Sequence, residues 1–185
     1  MDLGFLDYKT VLTIAHLLGV VVGMGGAVAS DFMFFSSVKD ERISHTEMRF
    51  LRLGSFMVWI GLGILVLSGT LLFFTNPEVY INSAKFLAKM TIVAVIAANG
   101  VFFHLVHIPR LHRHIGSHFK SSDEFMRTAP FLILSGVVSL VSWASALLLG
   151  SLRQIPYSYL EIIGLYAIVL FFAAAGAIIF RKFII

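Results

Sequence analysis

The stretch that decides the fold is Val11–Phe35, VLTIAHLLGVVVGMGGAVASDFMFF, whose ionisable side chains are His16 and Asp31. A helix needs about 20 predominantly apolar residues to cross a bilayer, so this stretch is long enough. Four more stretches have the same character: Leu53–Phe74, Phe86–Val106, Phe131–Leu152 and Tyr157–Phe180. The sequence therefore predicts an all-α, polytopic membrane helix bundle of about five transmembrane helices, forming one domain over residues 1–185.

The composition agrees with a chain embedded in lipid. Of the 185 residues, 58% are hydrophobic and 13% are charged, whereas a water-soluble domain carries about 25% charged residues. The formal charge of +4 does not indicate a nucleic-acid partner, because most basic residues lie where helices leave the membrane. The chain has no cysteine, which excludes disulfides, thiolate metal sites, iron–sulfur clusters and covalently attached c-type haem.

Basic residues predict the orientation of the bundle. With five spans, the first loop, the third loop and the C-terminus fall on one side and carry most of the Lys and Arg residues. Lys9, Lys85 and Arg153 fall on the other side. The positive-inside rule then places the N-terminus outside and the C-terminus in the cytoplasm. We expect an integral protein of the bacterial cell (inner) membrane, with the lipid bilayer as a partner.

Two short motifs mark boundaries between the spans. Ser44 and Glu47 have the spacing of a capping box, which predicts that the second helix begins at His45. The residues 121–124, SSDE, give the same signal before the fourth helix. Asn76-Pro77 predicts a turn between the second and third spans.

The first span carries a stripe of small and ionisable residues. From His16, offsets of 3, 7, 11 and 15 residues give Gly19, Gly23, Ala27 and Asp31. These offsets share one face of a helix. Small residues allow a neighbouring helix or a flat cofactor to come close.

The third span carries a matching stripe. From Lys89, offsets of 11, 15 and 18 residues give Gly100, His104 and His107. The first and third spans run in the same direction, and both 15-residue intervals correspond to roughly 22 Å of helix. The stripes therefore predict an outer level with His16 and Lys89, and an inner level with Asp31, His104 and His107.

The outer level has the residue types of a non-covalent haem site. Imidazole is a usual axial ligand for b-type haem, so we interpret His16 as that ligand and Lys89 as a second ligand or propionate partner. Gly19 and Gly23 would then make room for the porphyrin. The candidates for the second axial position are Lys89, Met24 and Asn99. The alternative is that His16 hydrogen-bonds a neighbouring helix and Lys89 extends to the interface.

The inner level is rich in side chains that bind metals. Imidazole and carboxylate suit zinc, copper, iron or nickel, so Asp31, His104 and His107 predict a second haem, a metal ion or a proton relay. Further histidines lie nearby at His45, His112, His114 and His118. For the loop histidines the alternative is a basic segment in contact with anionic lipid.

Three segments resemble the HemJ/CopD-like membrane proteins. The residues 14–21, IAHLLGVV, followed by Gly25-Gly26, resemble the opening helix of that group. The residues 67–72, LSGTLL, resemble its glycine-marked second helix, and the residues 86–93, FLAKMTIV, resemble its third helix. The likeness covers about the first 105 residues. It departs from the HemJ pattern at Asp31-Phe32, where that group has a basic residue, and at Asn99-Gly100, where it has a histidine.

The resemblance implies a function. HemJ members are b-haem proteins linked to protoporphyrinogen oxidation, and CopD members are linked to copper handling. By position, His16 would be the haem-ligand histidine and Lys89 the family lysine. We therefore expect a b-type haem-binding membrane protein with a redox role, either electron transfer or HemJ-like oxidation of a small substrate such as a porphyrinogen. A haem-dependent oxidoreductase is included in this hypothesis, with its catalytic residues unassigned.

The sequence is also compatible with two other functions. One is a transporter or binding protein for copper or another divalent metal, which would use the histidine-rich inner end. The other is a structural or assembly subunit whose polar stripes only join helices. Electron transfer would require a membrane or soluble redox partner. The small-residue faces suit either a homodimer or internal packing.

Overall fold

The computed structural model describes residues 7–39, 44–116, 123–153 and 155–180, and its elements are all helices. Their bounds are α1 Tyr8–Lys39, α2 His45–Thr75, α3 Pro77–Ile81, α4 Ala84–Phe102, α5 Ile108–Arg113, α6 Asp123–Ser151 and α7 Tyr159–Ile179. A π-helical turn, Phe103–His107, joins α4 to α5.

Five segments of the described chain are long and apolar enough to cross a membrane. They are Tyr8–Phe34, His45–Thr75, Ala84–Arg113, Arg127–Ser151 and Tyr159–Ile179. Each corresponds to one of the five predicted stretches, so the prediction of an all-helical bundle with about five membrane-spanning helices is confirmed. Large apolar side chains such as Leu160 and Phe171 are exposed on its surface, as expected for helices that face lipid. The orientation of the termini stays a prediction.

The predicted boundaries agree with the structure where it describes them. The Ser44 side chain accepts a hydrogen bond from the Glu47 backbone, and the Glu47 side chain accepts one from the Ser44 backbone. This capping box begins α2 at His45, as predicted. Asn76 ends α2 and Pro77 begins the short α3. Ser121 and Ser122 of the second predicted cap lie outside the described residues.

Glycines bring α1 and α2 into backbone contact. A β-carbon at Gly19 would lie 3.1 Å from the Gly61 carbonyl oxygen, and one at Gly26 would lie 2.8 Å from the Gly54 carbonyl oxygen. Side chains larger than hydrogen therefore do not fit without a shift of the backbone. Contacts of this kind are typical of helix pairs in membranes, where van der Waals packing replaces the hydrophobic effect. The small-residue stripe of α1 is thus used for packing on α2.

The remaining spans form a second group. α6 packs on α4 and α7, and this group meets the α1–α2 pair through contacts of α6 with α1 and of α4 and α5 with α2. One apolar cluster, which includes Phe34, Met48 and Leu111, closes one end of the bundle. We call this the basic end, because Arg49, Arg52 and Arg110 lie next to these residues in the sequence. At the opposite end, Nζ of Lys85 donates to the Leu152 carbonyl oxygen at 2.5 Å.

Candidate functional site

His16 is held by α2. Its Nδ1 atom lies 3.0 Å from Oγ of Ser68. The Ser68 hydroxyl donates its hydrogen to the Ile64 carbonyl oxygen, 2.6 Å away, so its oxygen accepts the hydrogen of Nδ1–H. In the neutral ring this tautomer leaves the lone pair on Nε2. The Leu65 backbone is a further hydrogen-bond partner of the ring. The predicted hydrogen bond to a neighbouring helix is therefore present, and Nε2 is left as a potential ligand atom.

Lys89 lies near His16. Its side chain is partly buried on α4, and its ammonium group is close enough to the His16 imidazole for the two to interact electrostatically. Lys85, one turn earlier, also acts on Lys89. The structure thus brings together the two residues that the stripes assigned to one level. It places α2, through Ser68 and Gly69, against the imidazole.

The space beside Gly19 and Gly23 is filled, so it does not provide the predicted room for a porphyrin. A β-carbon at Gly19 would lie 3.0 Å from Cγ of Leu65 on α2. One at Gly23 would lie 2.9 Å from Cζ2 of Trp143 on α6. Gly19 contacts α2 and Gly23 contacts the indole ring of Trp143, because this face of α1 packs against α2 and α6. The structure therefore gives these two glycines a packing role, and their place beside a cofactor stays a prediction.

Asn99 joins α4 to α6. Its Nδ2 atom donates to the Ser135 carbonyl oxygen at 3.0 Å, and its Oδ1 atom accepts from the Ser135 hydroxyl at 2.9 Å. Ser135 therefore forms hydrogen bonds with both the nitrogen and the oxygen of the Asn99 side-chain amide. The structure assigns Asn99 to a contact between helices, where sequence reasoning had made it a candidate for cofactor binding.

A cavity lies among α1, α2, α4 and α6. The polar side chains of its wall are Ser30, Asp31, Ser55, Asn99, Ser135 and Ser139. Its volume is about 40 Å³, and about 10–15 Å³ is enough for one water molecule. Pockets for drug-sized ligands begin at about 300 Å³. The cavity can therefore hold water or a small ion, but not a porphyrin.

Asp31, His104 and His107 do not form the metal site predicted for the inner level. Asp31 faces α6, where a β-carbon at Gly136 would lie 3.2 Å from its Oδ1 atom. Nδ1 of His104 lies 3.3 Å from Oγ of Ser55 on α2. Within the ranges that the structure covers, no group of three His, Asp or Glu side chains could hold a metal ion. The three residues face different neighbours, so the predicted shared centre is corrected.

Comparisons with protein-family models, curated proteins and solved structures return no match for this chain. The resemblance to the HemJ/CopD-like proteins therefore stays a prediction that rests on the segments around His16 and Lys89.

His107 is a buried histidine without a polar partner. Its side chain has no exposed surface, and neither ring nitrogen has a hydrogen-bond partner among the described residues. The rings of Phe102 and Phe103 lie against it, with centroid distances of 4.9 and 5.7 Å. Two unpaired polar atoms in an apolar site cost free energy.

Replacing His107 by leucine is therefore expected to raise the free energy of unfolding by about 1–2 kcal/mol. Thermal unfolding in detergent, compared with His112→Leu at an exposed position, measures the change. A loss of stability in the His107 variant would show that the imidazole has a partner that the described residues do not supply.

At the basic end, two histidines share a pocket with two arginines. His45, Arg49, Arg52 and His112 line it. Guanidinium groups disfavour a metal cation and pair with phosphate or carboxylate groups. This pocket therefore favours the interpretation of a basic surface that contacts anionic lipid. His118 lies outside the described residues.

Sequence reasoning missed the serines that hold the histidines. Ser68 and Ser55 are both buried on α2, thirteen residues apart in the sequence, and they bond His16 and His104. Serine is common in membrane helices as a packing residue, so composition alone does not single it out. The available signal was a polar residue on the second span for His16 and another for His104.

Proposed function

We propose that this chain is an integral membrane protein that binds b-type haem through His16 and has a redox role. The observation that carries the proposal is the state of the His16 ring: Nδ1–H is donated to Ser68, and the lone pair of the neutral ring is on Nε2. Histidines that bind metals usually donate their other ring hydrogen to a protein acceptor, which fixes the tautomer and the ring orientation. Ser68 supplies this acceptor.

The porphyrin would lie on the surface of the bundle at the level of His16. The space between α1 and α2 does not accept it, since Gly19 contacts Gly61 and Leu65. His16 itself is only half-buried, so its ring is open towards the surface. Lys89, whose positive charge acts on the imidazole, is suited to pair a propionate or to approach the iron.

When bound, haem supplies one-electron chemistry. The residues of this chain would position it: Ser68 orients His16, and Lys89 provides a positive charge beside the ring. Electron transfer would need a membrane or soluble redox partner, whereas HemJ-like activity would need a small reduced substrate. The proposal includes the basic end facing the cytoplasm, as in a bacterial inner membrane.

The alternative of a copper or divalent-metal protein has less support. The described residues lack a group of three metal-binding side chains. The two histidines that share a pocket, His45 and His112, do so with Arg49 and Arg52, which suit an anion. Elemental analysis of the purified protein distinguishes the proposals, because stoichiometric copper or zinc without iron would favour metal handling.

The haem proposal is tested by replacing His16 with alanine. We expect the haem bound per chain to fall at least about tenfold, since an iron–imidazole bond is lost. His112→Ala, which removes an exposed imidazole at the basic end, is the matched control and should keep the haem content of the wild type. Equal haem content in the two variants would exclude His16 as the ligand.

A further inference from the structure

The cavity among α1, α2, α4 and α6 contains polar atoms without partners. Oδ2 of Asp31, Oγ of Ser30 and Nε1 of Trp143 are buried and make no hydrogen bond to any described residue. All three residues line the cavity. They offer two acceptors and one donor, which are the partners that a buried water needs. The cavity is therefore built for water next to a carboxyl group.

Asp31 lacks a counter-charge among the described residues. No charged side chain of the described residues acts on it appreciably. The parts of α2, α4 and α6 that line the cavity contribute serine, asparagine, glycine, tryptophan and apolar residues. His104 follows Phe103 of the cavity wall in the sequence and lies next to Ser55. An ionised carboxylate in such a place is costly unless it gains a proton or a cation. Ionisable residues inside membrane helices are for this reason candidates for proton sites.

A chain of polar groups leads from Asp31 to the surface of the bundle. Ser55 lines the cavity and lies 3.3 Å from Nδ1 of His104. His104 is exposed and belongs to the π-helical turn that precedes α5 at the basic end. Such turns are frequent at functional sites. The cavity thus has a polar exit on the side of the basic end.

The other side of the cavity is closed. Trp143 is 2% exposed, and its ring lies against Gly23 of α1. Beyond it, Gly61 of α2 approaches the backbone of Gly23 so closely that no side chain fits. No polar group of the described residues continues the chain through this contact. The polar connection from Asp31 that the described residues supply is therefore the one through Ser55 and His104.

We propose that Asp31 is a proton-binding site that exchanges protons with the basic end through Ser55 and His104. In each uptake, a water in the cavity gives a proton to the Asp31 carboxylate and receives one from the Ser55 hydroxyl. Ser55 is reprotonated by the His104 imidazole, which takes a proton from outside the bundle. His104 takes up this proton on Nε2 and gives the one on Nδ1 to Ser55, so the ring must regain its starting tautomer before the next uptake; no oxidant or reductant is needed. This site is independent of haem binding by His16.

Infrared spectroscopy of the full-length protein in lipid nanodiscs tests the proposal. Near pH 6, where exposed carboxyl groups with ordinary values of about 4 are ionised, the wild type should show the C=O stretching band of a protonated carboxyl. Asp31→Asn should remove the band. Asp7→Asn is the matched control and should leave it unchanged, because Asp7 is exposed and hydrogen bonds from the Thr10 side chain and backbone lower its pKa.

The route is tested by the rate at which this band shifts after transfer to D₂O. Ser55→Ala should slow the shift by about tenfold, as expected for the loss of one hydrogen-bonding group from the relay. Ser142→Ala is the control: this buried serine bonds Tyr166 and does not line the cavity. A band that persists in Asp31→Asn would overturn the site. A wild type without the band would also overturn it, and would point to a bound cation. An unchanged rate in Ser55→Ala would overturn the route.

Discussion

Replacing Trp143 by alanine is expected to lower the free energy of unfolding by about 3–5 kcal/mol. Trp143 is one of the largest side chains in the core and is 2% exposed. It packs on Gly23 of α1 and belongs to the cluster that includes Ala88, Ile92 and Ile162. Truncation leaves a cavity at the point where α1, α4, α6 and α7 meet, and their backbones cannot close on it without breaking the contacts of Gly23.

The other tryptophan is the matched control for this prediction. Trp59 also lines the cavity, but it is 36% exposed. Trp59→Ala should therefore cost clearly less than Trp143→Ala. Chemical or thermal unfolding in the same detergent measures both. Equal losses in the two variants would contradict the packing described for Trp143.

Replacing Gly61 by leucine is expected to destabilise the bundle by about 3 kcal/mol or more, the upper range of overpacking effects. A β-carbon at Gly61 would lie 2.7 Å from the Gly19 carbonyl oxygen and closer still to the backbone of Gly23. Backbone atoms cannot rotate away as side chains do. The variant must separate α1 from α2 along much of their length.

Gly63 is the control for the α1–α2 contact. It lies two residues further along α2, and a β-carbon there would meet nothing within 4 Å. Gly63→Leu should leave the unfolding midpoint close to that of the wild type, because its side chain would project away from the protein. A Gly61 variant as stable as the Gly63 variant would show that the two helices do not pack as described.

The spans could be predicted because hydrocarbon imposes a simple constraint. Any segment that crosses it must be long and apolar, and this holds whichever neighbour it meets. The stripe from His16 to Asp31 was also recognisable, since offsets of 3, 7, 11 and 15 residues share a helical face. The stripe does not show whether a helix or a cofactor packs against it. α1 packs mainly on α2, so Gly19 and Gly23 receive protein where a cofactor was predicted.

The inner-level residues do not share one face in the structure, for a different reason. The offsets from Lys89 to His104 and His107 assume a regular α-helix, but Phe103–His107 forms a π-helical turn. Such a turn has a longer repeat than an α-helix, so residues within and after it rotate relative to the face of Lys89. His104 is thereby directed to Ser55 on α2, and His107 is buried against Phe102 and Phe103. The local signal for this turn is Pro109, which follows it by two residues and has no backbone N–H to donate to the carbonyl four residues earlier.

The most direct measurement is a pair of absorption spectra of the detergent-purified protein after haem supplementation, recorded oxidised and then reduced with dithionite. Binding through His16 predicts a Soret band and, on reduction, the sharpened bands of b-type haem, with both lost in His16→Ala. Because Ser68 fixes the imidazole, Ser68→Ala should shift these bands without removing them. A wild-type protein that stays colourless under these conditions would contradict the haem proposal and leave only the helical bundle and its buried carboxyl group to be explained.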